Sequence, residues 1–120
     1  MRRKPKLKIA IADDNPAMRQ ELKEMLTAEG YSVKTFNDGY EVLAYLKNAS
    51  PHILILDLVM PNKGGTDIIS AIKSISPGTK IIIYTGFKEY EHLMDINFID
   101  KFILKAGDPK ELLKALKDMQ

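Results

Sequence analysis

Five short apolar runs recur along the chain: Leu7 to Ala12, Tyr31 to Phe36, Ile53 to Leu56, Lys80 to Tyr84 and Phe102 to Leu104. They are rich in Ile, Val and Leu. The first, third and fourth are apolar almost throughout, as strands buried on both faces of a parallel sheet are. Between the runs, apolar residues follow a helical period. Met18, Leu22, Met25 and Leu26 share one face of a helix that Asn15-Pro16 opens, with Asn as cap and Pro in the first helical position, and that Gly30 closes. Val42, Leu43 and Leu46 do the same from Gly39 to Lys47, and Ile68, Ile69, Ile72 and Ile75 do so ahead of Pro77-Gly78. Asp108-Pro109 repeats the cap-and-proline pair before a last helix that turns Leu112, Leu113 and Leu116 inward. Lys88 to Asp100 supports only about two helical turns, around Glu91 to Met94, so a short or irregular fourth helix is expected there.

This alternation predicts an α/β fold of (βα)5 type. Right-handed crossovers place helices on both faces of a doubly wound five-stranded parallel sheet of order 2-1-3-4-5. In such sheets ligands bind outside the carboxyl ends of the strands, at the point where the strand order reverses. The polar residues just beyond each strand are therefore the candidates for chemistry.

Composition narrows the class further. The net charge of +2 is local, because Arg2, Arg3, Lys4 and Lys6 lie in the first six residues; without them 14 basic residues face 16 acidic ones. A nucleic-acid binder carries its basic surface on the folded domain, so residues 1–6 read as a basic flexible tail and 7–120 as the domain. Absence of cysteine excludes disulfides and thiolate metal sites. The first apolar run is interrupted by Lys8 and ends in two aspartates, unlike a secretory segment, and no run reaches the roughly 20 residues that cross a bilayer. A cytoplasmic, monomeric protein binding neither nucleic acid nor membrane is expected.

At the strand ends stand Asp13-Asp14 after the first strand, Asp57 after the third, Thr85 at the end of the fourth and Lys105 after the fifth. The predicted strand order gathers these three carboxylates, a hydroxyl and an ammonium in one crevice. Crowded carboxylates repel one another, and a cation offsets that repulsion. Oxygen ligands without His or Cys suit Mg²⁺ or Mn²⁺. With such a cation present, Asp57 has the chemistry of a nucleophile toward phosphorus, forming an acyl phosphate. Lys105 and Thr85 would then stabilise charge on the phosphoryl oxygens. Taken singly, Asp14 reads as a helix-dipole acid, Thr85 as a strand-end residue and Lys105 as a surface lysine. His52 and His92 read as surface histidines.

The acidic pair Asp13-Asp14, Asp57 closing an apolar strand, Met60-Pro61 with Gly65, Thr85 and Lys105 resemble, in order and spacing, the response-regulator receiver domain, a flavodoxin-like fold. The resemblance runs from about Lys6 to the chain's end. It implies that Asp57 is the phosphoacceptor, that Asp14 binds Mg²⁺ directly and Asp13 through water, and that the backbone carbonyl of Val59 completes the coordination. It also implies that Lys105 and Thr85 contact the phosphoryl group and that Phe102 holds the aromatic switch position. The donor would be a sensor histidine kinase or a histidine phosphotransfer protein. With no output domain after the last helix, the signal is expected to pass to a downstream protein target.

Departures from the family pattern carry their own expectations. Ala106 replaces the proline that usually follows the lysine with a cis bond, so either a strained cis bond or a trans bond relieved at Gly107 is expected. Gly86 follows Thr85 where alanine is common. The segment from Thr85 to Lys105 is short. Val59 and Phe87, both apolar, cannot orient an attacking water, which predicts a long-lived acyl phosphate. Two other classes stand beside the receiver: a phosphorylation-independent interaction module, and an aspartyl-phosphate hydrolase. The first should have lost some of the five key side chains. The second usually carries an acid two residues past its nucleophile, where this chain has Val59.

Overall fold

The computed structural model describes residues 7–57, 65–86, 98–105 and 109–119. The elements are β1 (Lys8–Ala12), α1 (Pro16–Ala28), β2 (Ser32–Phe36), α2 (Gly39–Leu46), β3 (Ile53–Leu56), α3 (Gly65–Ile75), β4 (Lys80–Thr85), β5 (Lys101–Leu104) and α4 (Lys110–Asp118). All strand pairs are parallel, and the sheet order is β2-β1-β3-β4-β5. The switch point falls between β1 and β3, which leave in opposite directions toward the two edges.

The strands owe their placement to a period of two. Ile9, Ile11, Ile53, Ile55, Ile82, Tyr84 and Ile103 point to one face, where Leu22 and Leu26 of α1 and Leu112, Ala115 and Leu116 of α4 cover them. Ala10, Ala12, Leu54, Leu56, Ile81 and Ile83 point to the other, beneath Val42 and Leu46 of α2 and Ile68, Ile69 and Ile72 of α3. Both faces are therefore dry, which is why β1, β3 and β4 carry no internal charge.

Helix ends follow local chemistry. Asn15 Oδ1 accepts from the N–H groups of Ala17 and Met18 at 3.0 and 3.1 Å, with Pro16 inside the first turn. At the other end the Gly30 N–H bonds to Thr27 O and the Tyr31 N–H to Leu26 O, a Schellman arrangement that requires the left-handed φ of 98° at Gly30. Asp38 Oδ1 caps α2 by accepting from the Glu41 N–H at 2.9 Å.

Three expectations need correction. Pro109 occupies the N-cap position of α4 itself, so the proline precedes the helix, and no side chain among the described residues caps that end. The buried stripe of α4 is Leu112, Ala115 and Leu116; Leu113 flanks it and is only partly buried. Ile75 is 38% exposed, because it is the last residue of α3 and the helix has there run past the sheet. The expected helical turns near Glu91 to Met94 and the Lys105–Ala106 bond lie outside the described residues, as do Met60-Pro61, Val59, Phe87, Gly107, Asp108, His92 and the tail 1–6.

A buried polar latch closes the α3–β4 turn at the sheet end remote from the aspartates. The Thr79 hydroxyl donates to Pro51 O at 2.8 Å, so the Ser76 hydroxyl, 2.6 Å away, is the donor to Thr79 Oγ1. Thr79→Val leaves one buried acceptor, Pro51 O, and one buried donor, the Ser76 hydroxyl, unmatched. It is expected to lower unfolding stability by about 1–3 kcal/mol in urea titration, with the site at the other end of the sheet unaffected. A loss below about 0.5 kcal/mol would show that the latch holds nothing.

Candidate functional site

Parity places the site. Ile9 and Ile11, Ile53 and Ile55, and Ile103 all face the α1–α4 side, and one further step of two along each strand gives Asp13, Asp57 and Lys105. The ladder continues just far enough to hold them. The Asp57 N–H bonds to Ala12 O at 2.9 Å, the Lys105 N–H to Thr85 O at 2.8 Å, and the Asp13 N–H to Phe36 O at 3.1 Å. Three side chains from strands far apart in sequence are thus aimed at one point by the same alternation that packs the core.

There the Lys105 ammonium bonds Asp13 Oδ2 at 2.6 Å and Asp57 Oδ2 at 2.9 Å. Asp13 is 2% and Asp57 8% exposed, so both carboxylates are largely removed from water and depend on that cation. Burial pulls the Lys105 pKa down, but hydrogen bonds to Asp13 and Asp57 and their charges outweigh it and hold it above the ordinary lysine value. The lysine is therefore charged throughout the neutral range. Asp13 is fixed from its other side as well, since its Oδ1 accepts the Asn15 N–H at 2.9 Å. Arg19 reaches back from α1 to donate to Asp13 O at 2.8 Å.

Asp14 is exposed, yet Asp13, Asp14 and Asp57 each offer a carboxylate oxygen, and these oxygens lie within 4.8 Å of one another. That separation matches ligands sharing one cation. An all-oxygen anionic donor set open to water at Asp14 suits a hard divalent ion that keeps part of its hydration. Thr85 is fully buried at the end of β4, with parity opposite to Lys105, toward the α2–α3 side. Phe102 pairs with Ile83 in register, lies on the same face as Thr85, and packs half-buried against the α2–α3 core. The sequence-derived set Asp13, Asp14, Asp57 and Lys105 is thus brought together directly.

Two contributors escaped the sequence reading. Arg19 looks like an exposed helix residue until the α1 start is known to sit beside Asp13. Tyr84 reads as a core strand residue, but its ring centroid lies 5.8 Å from Lys105 Nζ. His52 is exposed as expected, but its Nδ1 accepts the Lys8 N–H at 2.9 Å and so ties the start of β3 to β1.

Comparison with known proteins adds three findings. Residues 9–117 match the response regulator receiver domain. The chain is 30% identical over 112 residues to the chemotaxis protein CheY of Thermotoga maritima, covering 91% of this chain and 93% of that one. It spans about half the length of other curated relatives that it matches. Among solved structures, the response regulator TrrA of Thermotoga maritima in complex with Mg²⁺-BeF superposes with a TM-score of 0.89 at 29% identity, covering 95% of this chain and 99% of that one. The same regulator in complex with the histidine kinase ThkA gives 0.86 at 30% identity, covering 94% and 97%. No described helix is long and apolar enough to cross a membrane.

Proposed function

The chain belongs to the response regulator receiver domain family, and on that premise we propose that it accepts a phosphoryl group on Asp57 and passes the signal on by a change of conformation. The observation that carries this reading is the Asp13–Lys105–Asp57 cluster beside Asp14. It holds a carboxylate nucleophile, a permanent cation and an oxygen-ligand set within reach of one another. Mg²⁺ is the ion proposed, held by Asp13, Asp14, Asp57 and the Val59 carbonyl; when bound it supplies positive charge for the phosphoryl oxygens.

In the transfer an Asp57 carboxylate oxygen forms a bond to phosphorus. The bond from phosphorus to the donor breaks, and the leaving group takes its electron pair. With a phosphohistidine donor the imidazole leaves, and with acetyl phosphate, acetate does. Lys105 offsets charge on the phosphoryl oxygens, and the Thr85 hydroxyl donates a hydrogen bond to one of them. The carboxylate is consumed by each event, so the protein promotes its own modification and does not turn over a substrate as a conventional enzyme does. A sensor histidine kinase or a histidine phosphotransfer protein is the proposed donor, consistent with the kinase complex of the related TrrA. A downstream protein is the proposed receiver of the signal, the chain acting as a cytoplasmic monomer. Phe102, half-buried on the same sheet face as Thr85 and opposite Ile83, is the residue proposed to move when Thr85 is drawn toward the phosphoryl group.

The test is incubation with acetyl phosphate and Mg²⁺, followed by intact mass and peptide mapping. One phosphoryl group on Asp57 is expected. Chelation with EDTA is expected to slow adduct formation by at least about a hundredfold, because two buried carboxylates and an incoming phosphoryl group would share one ammonium. An adduct that forms as fast in EDTA would remove the metal from the proposal. No adduct from any donor would favour an interaction module that works without phosphorylation.

A further inference from the structure

Lys105 ends in a flexible four-carbon stem, and what fixes its ammonium changes during the proposed reaction. In the structure two of its three N–H donors are committed to Asp13 and Asp57. Once those carboxylates serve a cation and a phosphoryl group, both holds weaken together. The Tyr84 ring depends on neither. In the β4–β5 register Tyr84 opposes Ile103, so Lys105, two residues on, projects from the same sheet face one step beyond it. The ammonium consequently lies 5.8 Å from the ring centroid, inside the range of about 6 Å in which the negative ring face attracts a cation. The ring is 4% exposed and lines a groove together with Met18, Glu21, Leu22 and Met25 of α1, Lys105 and Pro109. The Lys105 side chain is 18% exposed, so water screens the contact only in part.

We infer that Tyr84 is a positioning residue for phosphoryl transfer, its ring face holding the Lys105 ammonium over the site when Asp13 and Asp57 release it. The inference rests on the receiver reading above and concerns the ring face, not the hydroxyl. A partly desolvated contact of this kind is worth about a three- to tenfold change in rate.

The test compares wild type, Tyr84→Phe and Tyr84→Leu, with Tyr84→Met as a second ring-free variant should the leucine variant not fold. Two quantities are read: the phosphorylation rate from acetyl phosphate at saturating Mg²⁺, and the NMR shifts of the Lys105 ε-methylene protons at saturating Mg²⁺ without a phosphodonor, where Asp13 and Asp57 are engaged by the cation. In wild type and Tyr84→Phe those protons are expected upfield, under the ring current. In the ring-free variants they move to the ordinary lysine position and the rate falls about three- to tenfold, while Tyr84→Phe restores it to within about twofold. A loss of packing alone would not single out the Lys105 protons. The inference is overturned by ring-free variants that phosphorylate at the wild-type rate, by Lys105 protons that do not move, or by Tyr84→Phe falling as far as Tyr84→Leu. If wild type itself takes up no phosphoryl group, the receiver reading fails, and the Lys105 shifts still decide whether the ring holds the ammonium.

Discussion

Asp57→Asn is expected to abolish the phosphoryl adduct, by more than about a thousandfold in rate, and to leave the fold intact. The nucleophile in acyl phosphate formation must be a carboxylate oxygen carrying charge, which an amide oxygen of the same shape does not supply. The surroundings change little. The amide oxygen still accepts from Lys105, whose other bond to Asp13 at 2.6 Å is untouched. Removing one of three clustered negative charges relieves repulsion at the same time as it weakens one ion pair. Metal-free stability is therefore expected to stay within about 1 kcal/mol of wild type. Intact mass after incubation with acetyl phosphate and Mg²⁺, beside a urea titration of each protein, checks both halves. A wild-type level of adduct in the variant would move the acceptor to another residue and sink the assignment.

The legibility of the site in the sequence has a simple cause. Asp13, Asp57 and Lys105 are the first polar residues after runs that are otherwise apolar, and the first two of those runs are among the most deeply buried in the chain. The break from apolar to polar marks the position, whereas the shared face follows from the pleat of the folded sheet. The strand order then made neighbours of residues 44 or more positions apart, because a parallel sheet aligns every carboxyl end. Helix ends were harder. Ile75 keeps perfect spacing with Ile68 and Ile72 yet is exposed, because periodicity reports direction around the helix axis and not whether the sheet still lies beneath. Asp108-Pro109 matches a cap signature, yet the structure starts α4 one residue later, at Lys110. Tyr84 was invisible for a different reason: its second role depends on a diagonal across β4 and β5 that no pattern within one segment encodes.

Lys105→Met is expected to move two quantities in opposite directions. In the structure the ammonium is the counter-ion of Asp13 and Asp57, at 2.6 and 2.9 Å, on two of the carboxylates that would hold a divalent ion. Mg²⁺ binding must therefore compete with the lysine, and removing the lysine is expected to tighten Mg²⁺ by about tenfold, since the carboxylates then face each other without compensation. Phosphorylation is expected to slow by about a hundred- to a thousandfold, because a preorganised positive donor toward the phosphoryl oxygens is lost. A misfolded variant would lose both properties, so the opposed signs make the result specific. Metal-free stability should fall by about 1–3 kcal/mol, the cost of leaving two largely buried carboxylates unpaired. Its pH dependence follows from the direction of the lysine pKa. That pKa is raised in the folded state, so the stabilisation is fully present below the unfolded lysine value of about 10.4 and is lost as pH climbs through the higher folded value. The stability gap between wild type and variant should accordingly persist into mildly alkaline buffer and close only beyond that. Weaker Mg²⁺ binding in the variant, measured by calorimetry, would mean that the lysine supports the cation site and does not compete for it.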